Sequence, residues 1–261
     1  MVGAETQMKI LILAALPQEH SPLKKFLPGR RLVKRKPLKE FAFKLPDKEI
    51  VLIETGMGAK WAEEALRVKM PEFRPDLLIF AGFAGGLHPD MKIGDVCAIV
   101  RVRQKSCEDT FNFRFPAGLD DFLTANQNVR VTGISCEFSE NKKAVCVVAA
   151  GQMAAMDMET AKVAEIASKM KIPFVCFRAI SDCVDHELGF DLSDICDGRG
   201  RVKLYGVLST VLRRPLVLRA FYLSWRRSRV AAKNLCRSVA AFVRIPADEL
   251  IEMARGITIE R

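Results

Sequence analysis

The sequence predicts an α/β fold: a three-layer sandwich around a mixed, mostly parallel sheet, with a helical C-terminal extension. Three observations carry that expectation. Short, near-continuous apolar runs rich in β-branched residues recur as far as residue 181, as expected of strands buried on both faces. Segments with helical periodicity lie between them, and such alternation favours parallel strands joined by crossover helices. Beyond residue 200 the runs give way to a basic amphipathic pattern.

The elements follow in chain order. MKILILAAL (8–16) is the first strand. Glu5 precedes it and no basic n-region does, so the start reads as a lead-in to a strand and not as a signal peptide. Residues 30–48 fit a hairpin. EIVLIETG (49–56) is the next strand, and Gly56-Met57-Gly58 turns into a helix over 59–70, AKWAEEALRVKM. DLLIFAGFAGG (76–86) and DVCAIVRVR (95–103) are strands. Residues 104–143 break the rhythm and read as a long excursion, and AVCVVAAG (144–151) reads as a strand. Val163, Ile166, Ala167 and Met170 share one face of a helix over 160–171, which Pro173 stops. PFVCFRAIS (173–181) is the last strand. The expected division is a core over 1–200 and a basic helical extension over 201–261, packed on the core or continuous with it.

The 261 residues are 49% hydrophobic and 28% charged, ordinary for a globular protein with a sizeable core. No run reaches the roughly 18 uninterrupted apolar residues of a membrane span. The net charge of +10 is local. Residues 201–247 hold eleven Lys/Arg and no Asp/Glu, whereas the rest holds 30 basic and 31 acidic residues. The eight cysteines form no C-x-x-C pair, which argues against a zinc or disulfide framework. With no export signal, reduced thiols in a cytoplasm are expected. His20 and His88 have no evident metal-ligand partners, and His186 beside Asp185 reads as a surface residue. No metal or cofactor is expected.

Open α/β sheets bind ligands beyond the carboxyl ends of their strands. Glu159, Asp182, the Gly82–Gly86 turn and the Gly56–Gly58 turn all occupy such ends, so four strand ends are expected to converge on one site. The ordinary roles of these residues stand beside that reading. An aspartate after a strand is often a turn former or N-cap, a first-turn glutamate suits the helix dipole, and glycines suit tight turns. Glu19 equally suits a solvated helix start. The period of two turns Asp157 to the other face of its strand, which makes it structural.

MDMETAKVA (156–164), RAISDCVD (178–185) and AGFAGGLHPDMKIGDV (81–96) together resemble the nucleoside phosphorylase and nucleosidase superfamily. The methylthioadenosine/adenosylhomocysteine nucleosidases and, more closely, the hopanoid-associated nucleosidase-like proteins show the resemblance, from residue 8 to about 244 and most poorly over 104–143. The resemblance implies that Asp182 protonates the purine N7 and that Glu159 takes the ribose hydroxyls, with Met158 beneath the sugar. It places Glu19 where nucleosidases carry the glutamate that orients water, and gives Gly82, Phe83, Ala84 and Gly85 backbone contacts near the anomeric carbon. Ser181 adjoins the acid. It also implies a purine nucleoside as substrate, adenine as product, a homo-oligomer, and a cytoplasmic enzyme.

Physical chemistry supports those roles separately. Cleaving an N-glycosidic bond builds positive charge on the sugar ring and releases a purine that leaves badly as an anion. An acid at the base addresses the second problem, and a carboxylate on the ribose favours the cationic transition state.

The nucleophile is read from what is missing. Superfamily phosphorylases hold phosphate with arginines in an early loop and before the later glycine turn. Here those stretches read LPQEHSPLKK and LLIFAGF, with no matching arginine, which favours water; Lys24 or Lys25 as substitutes would keep phosphorolysis open. Phe83 stands where nucleosidases commonly carry a small hydroxyl residue, and it cannot orient water by hydrogen bonding.

At 100° per residue, Arg219, Arg226, Arg229, Lys233, Arg237 and Arg244 form one stripe of 216–244, with Phe221, Trp225, Ala232, Leu235, Val239, Phe242 and Val243 opposite. Packing of the apolar face on the sheet is one reading, with Pro215 starting the helix; peripheral contact with an anionic membrane on its inner face is the other. The resemblance of this stretch to the hopanoid-associated proteins points to an adenosylated hopanoid, a nucleoside with a lipid 5′ substituent. Nucleic-acid binding is not expected, because the basic segment carries no recognition motif and few interleaved aromatics. A nucleoside-binding protein without catalysis is the remaining alternative.

Overall fold

A computed structural model of the chain describes residues 7–34, 36–106, 109–136, 142–149, 151–183 and 217–261. The sheet begins with β1 (Met8–Ala14), followed by the short helix α1 (Pro17–His20) and a 3₁₀ turn over Ser21–Lys25. A hairpin of β2 (Arg31–Lys34) and β3 (Lys39–Leu45) leads to β4 (Lys48–Glu54) and α2 (Ala59–Lys69). Next come β5 (Leu77–Gly86), β6 (Val96–Gln104), β7 (Thr110–Arg114), α3 (Ala117–Ala125), β8 (Val129–Ser135) and α4 (Lys142–Ala149). The described chain closes with β9 (Ala154–Asp157), α5 (Thr160–Met170), β10 (Phe174–Asp182), α6 (Val217–Val243), α7 (Ala247–Gly256) and β11 (Thr258–Glu260).

The strands run β11-β7-β6-β8-β9-β5-β1-β4-β3-β2, with β10 between β5 and β6. Parallel pairs β4–β1–β5–β10 form the centre, and antiparallel pairs flank it. A short pairing of Gly85 and Gly86 with Met156 and Ala155 returns β9 to β5, so part of the sheet closes on itself. The apolar runs are continuous because both faces are covered. Ile10, Ile12, Leu77, Ile79, Val175 and Phe177 face a core that includes α3, α6 and α7. Leu11, Leu13, Leu78, Phe80, Phe174 and Cys176 face α2 and α5.

Two sequence expectations are corrected. Residues 144–151 are not a strand: α4 covers Lys142–Ala149, with Val145 and Ala149 buried four residues apart and Val147 exposed. Periodicity alone cannot separate a short apolar strand from a one-sided helix, and the strand of this region is β9. Residues 104–143 are not simply an excursion, since β7, α3 and β8 lie there. Phe111 and Phe113 alternate inward in β7, a period of two obscured by the polar residues around it.

The C-terminal helix divides along its length. Ala232, Leu235, Val239, Phe242 and Val243 are buried against the sheet, with Phe242 edge-on to Phe177 at 5.4 Å. Trp225, expected on that same face, is 52% exposed beside Tyr222 at 55%. All six stripe cations are exposed. The Phe221 side chain, Pro215, His186, Cys107 and Cys196 lie outside the described residues. No described helix is long and apolar enough to cross a membrane.

Candidate active site

Where β1 ends, Leu16 and Pro17 turn the chain into α1, and Glu19 folds back over that turn. Its Oε2 accepts the Leu16 N–H at 2.8 Å, and its Oε1 accepts the Phe83 N–H at 2.9 Å, which ties α1 to the middle of β5. Glu19 is buried, and burial pushes its carboxyl above the ordinary range against the pull of those N–H groups and Arg178. The solvated helix-start reading of Glu19 therefore fails. His20 is buried too: its Nε2 lies 3.4 Å from Glu54, and its Nδ1 faces Arg30 at 3.2 Å.

Gly82 is glycine because of what lies over it. A Cβ there would collide with Arg178 Nη1 and stand 3.1 Å from Glu19 Oε1. Arg178 is 1% exposed, in the middle of β10, where a cation needs partners. Its Nη2 meets Asp157 Oδ2 at 2.7 Å and Glu159 Oε2 at 3.6 Å, and donates to Thr160 Oγ1 at 2.8 Å. The guanidinium also lies 4.1 Å from the Phe80 ring centre.

Asp157 is the structural partner in this cluster. Its Oδ1 accepts the Ser135 hydroxyl at 2.6 Å and the N–H groups of Glu159 and Thr160, and its Oδ2 accepts the Thr160 hydroxyl. It thereby ties down the chain entering α5 and fixes Arg178. Asp157 and Glu159 both reach Arg178, contrary to the expectation that Asp157 faces away. Strand alternation stops at Asp157, because Glu159 has φ −135° and ψ −26° and starts α5. Glu159 Oε1 accepts the N–H of Gly58 at 2.7 Å; Gly58 holds φ +102°, a conformation that suits glycine. Burial first, and then the nearby Asp157 carboxylate, push Glu159 up to about 7 despite Arg178.

Asp182 stands at the rim. A register shift between Ile180 and Asp182 bulges β10 and re-aims Asp182 across Gly85 of β5. Ser181 donates its hydroxyl to Asp182 Oδ1 at 2.9 Å. Lys142, from α4, donates to Asp182 Oδ2 at 2.5 Å and to the Asp182 and Cys183 carbonyls at 3.2 and 2.9 Å. A Cβ at Gly85 would stand 3.1 Å from both Asp182 Oδ2 and Lys142 Nζ. The two carboxylates, Glu19 by Gly82 and Asp182 by Gly85, are thus separated by three residues of one strand, about 10 Å along it.

Glu19, Gly82, Phe83, Ala84, Gly85, Ser181 and Asp182 all meet along the end of β5. Glu159 joins through Arg178 and Gly58, and Met158 is half-buried one residue before it. Two residues went unrecognised in the sequence. Arg178 was legible as a cation inside an apolar strand. Lys142 falls at the end of the stretch read as an excursion, two residues before the segment taken for a strand, and no local pattern links it to Asp182, 40 residues away. Among the described residues no His/Cys/Asp/Glu group has the geometry to hold a metal.

Residues 9–213 match the family model of the Phosphorylase superfamily. The 5′-methylthioadenosine/S-adenosylhomocysteine nucleosidase of Bacillus cereus (strain B4264) is 27% identical over 172 residues, 57% of this chain and 74% of that protein. Among solved structures, the nucleosidase of the same name from Neisseria meningitidis, in complex with methylthio-immucillin-A, aligns with a TM-score of 0.67 at 20% identity, over 90% of this chain and 98% of that one. Futalosine hydrolase of Helicobacter pylori aligns with a TM-score of 0.63 at 17% identity, over 90% and 98%. At such identities the two structures speak for the fold.

Proposed function

Because the chain belongs to the Phosphorylase superfamily, we propose that it hydrolyses the N-glycosidic bond of a purine nucleoside and releases adenine. The observation that carries this reading is the pairing of Glu19 with Phe83 and of Asp182 with Gly85 along one glycine-rich strand end. The sugar lies over Gly82–Gly85, with Met158 beneath it and its hydroxyls on Glu159. Asp182 delivers a proton to the base nitrogen as the bond to the anomeric carbon breaks, and Ser181 steadies the carboxyl. Glu19 orients water and takes its proton; a carboxyl lifted by burial is a better base near neutral pH. Arg178 holds Glu159 and offsets the charge of the cluster.

Water is favoured over phosphate. Arg178, the cation whose charge bears on Glu19 among the described residues, is already engaged by Asp157, Glu159 and Thr160, and Lys24 and Lys25 are exposed. A dianion needs a free cationic clamp. Incubation with methylthioadenosine and adenosylhomocysteine, with and without phosphate, tests this. Equal yields of adenine and free sugar, unchanged by phosphate, are expected. A sugar phosphate as product, or no adenine, would overturn it.

A finer reading concerns the 5′ substituent. Phe83 presents an apolar side chain at the sugar, and α6 exposes Tyr222 and Trp225 with Arg226 and Arg229 stacked against them. That face suits an anionic lipid surface, and with it a lipid-linked nucleoside such as an adenosylated hopanoid. In this reading residues 1–200 carry the chemistry and 201–261 form the extension, in a cytoplasmic homo-oligomer touching the membrane. Binding to anionic vesicles at low salt, and adenine release from an adenosylated lipid, are expected. Protein that ignores such vesicles would remove this refinement and leave the nucleosidase intact.

A further inference from the structure

We propose that Lys142 supplies, through Asp182, the proton that the departing base takes up. The inference rests on the nucleosidase reading and adds the source of its proton. Both carboxylate oxygens of Asp182 already accept hydrogen bonds, Oδ1 from Ser181 and Oδ2 from Lys142. Among the described residues, Lys142 is the ionisable donor in contact with it. Two of the ammonium hydrogens are held by the carbonyls of Asp182 and Cys183, which leaves the third aimed at Oδ2. Gly85 leaves room for the pair, since a Cβ would press on both members. Lysine can give up a proton, whereas arginine in the same place cannot.

The step balances. The ammonium passes a proton to the Asp182 carboxylate, and Asp182 passes it to the base nitrogen. The bond between the anomeric carbon and the base breaks, and its electron pair stays on the base, which leaves neutral. Water forms the new bond to the anomeric carbon and loses a proton to Glu19. Solvent then reprotonates the Lys142 amine and accepts the Glu19 proton. Lys142 acts through Asp182 and is therefore a positioning residue that also supplies a proton. Among the described residues, the other titratable or charged groups facing this corner are Cys183 at the end of β10, Asp95 before β6 and Arg227 on α6.

The test compares wild type with Lys142→Met, Lys142→Arg and Lys142→Ala, following adenine release between pH 5 and pH 9. Lys142→Met is expected to lower kcat at pH 8 by about 10²-fold, with KM within about threefold. The deficit should shrink toward pH 5, where hydronium can take over the supply of protons. Lys142→Arg keeps the positive charge but cannot give up a proton, and should stay as slow as Lys142→Met at pH 8. Added methylamine should restore part of the Lys142→Ala rate. Full activity in Lys142→Arg, a loss equal at every pH, or Lys142→Met turning over like wild type would each overturn the proposal. If Lys142→Met fails to fold, the comparison of Lys142→Arg with wild type decides alone. Wild type that releases no purine would remove the nucleosidase reading and this inference with it. Active wild type with an unaffected Lys142→Met would remove only the inference.

Discussion

The two ends of the site place their cations in opposite ways. Arg178 lies at the bottom, fully buried, fixed by Asp157, Thr160 and Glu159 and covered by Phe80. Lys142 lies at the rim, half-buried, and reaches Asp182 from α4, outside the central sheet. A buried cation with several partners fixes geometry, because every displacement strands a charge in a dry interior. A rim cation on a single carboxylate can exchange protons with solvent. On the proposed reading, the end assigned to the sugar is built for position and the end assigned to the base for proton transfer.

Asp182→Asn breaks the base end outright. It should lower kcat by about 10²–10⁴-fold, while a nucleoside analogue still binds and urea unfolding is little changed. Arg178→Met strikes the other end, and there stability should fail first. Leaving Asp157 and Glu159 buried without their cation should cost on the order of 3–5 kcal/mol in urea unfolding. If Arg178→Met unfolds like wild type but loses only activity, the contrast between the ends collapses.

Glu159→Gln sharpens the comparison through pH. The folded-state value near 7 lies above the ordinary glutamate value of 4.5, so the fold favours the protonated form. That contribution to stability is complete below about 4.5 and is lost as pH rises through about 7. If the sugar hydroxyls sit on Glu159 as proposed, binding uses the ionised form, and kcat/KM should climb over the same interval in which stability declines. Glu159→Gln should flatten both trends and lower kcat/KM by about 10–100-fold at pH 8, the worth of a hydrogen bond to a charged group. Gly82→Ala comes next. Its methyl would press on Arg178 and Glu19 and should cost about 1–3 kcal/mol, read from thermal unfolding. Trp225→Ser should be nearly silent in stability, within about 0.5 kcal/mol, and silent for methylthioadenosine, while weakening vesicle binding.

Much of this arrangement is legible in the sequence, for definable reasons. Strands β1, β4, β5, β6 and β10 announce themselves because both their faces are buried. Glu159 and Asp182 are visible as carboxylates where such runs end. The failures share one cause. The α4 segment and β7 each bury one face over only a few residues, so period and length give little to separate helix, strand and loop. Lys142 escapes notice because its partner is set by the β10 bulge, which the sequence does not mark. The α6 face teaches a similar lesson: a helical wheel groups Trp225 with Phe242, yet among the described side chains Trp225 is exposed while Phe242 is buried.

The most direct measurement is a crystal structure with a non-hydrolysable adenine nucleoside analogue bound. A ring nitrogen of the base should lie about 3 Å from Asp182, the sugar hydroxyls should contact Glu159, and the anomeric position should stand over Gly82–Gly85 within reach of a water on Glu19. An analogue bound elsewhere, or one whose base sits on Glu159 with its sugar toward Asp182, would contradict the assignment of the two ends.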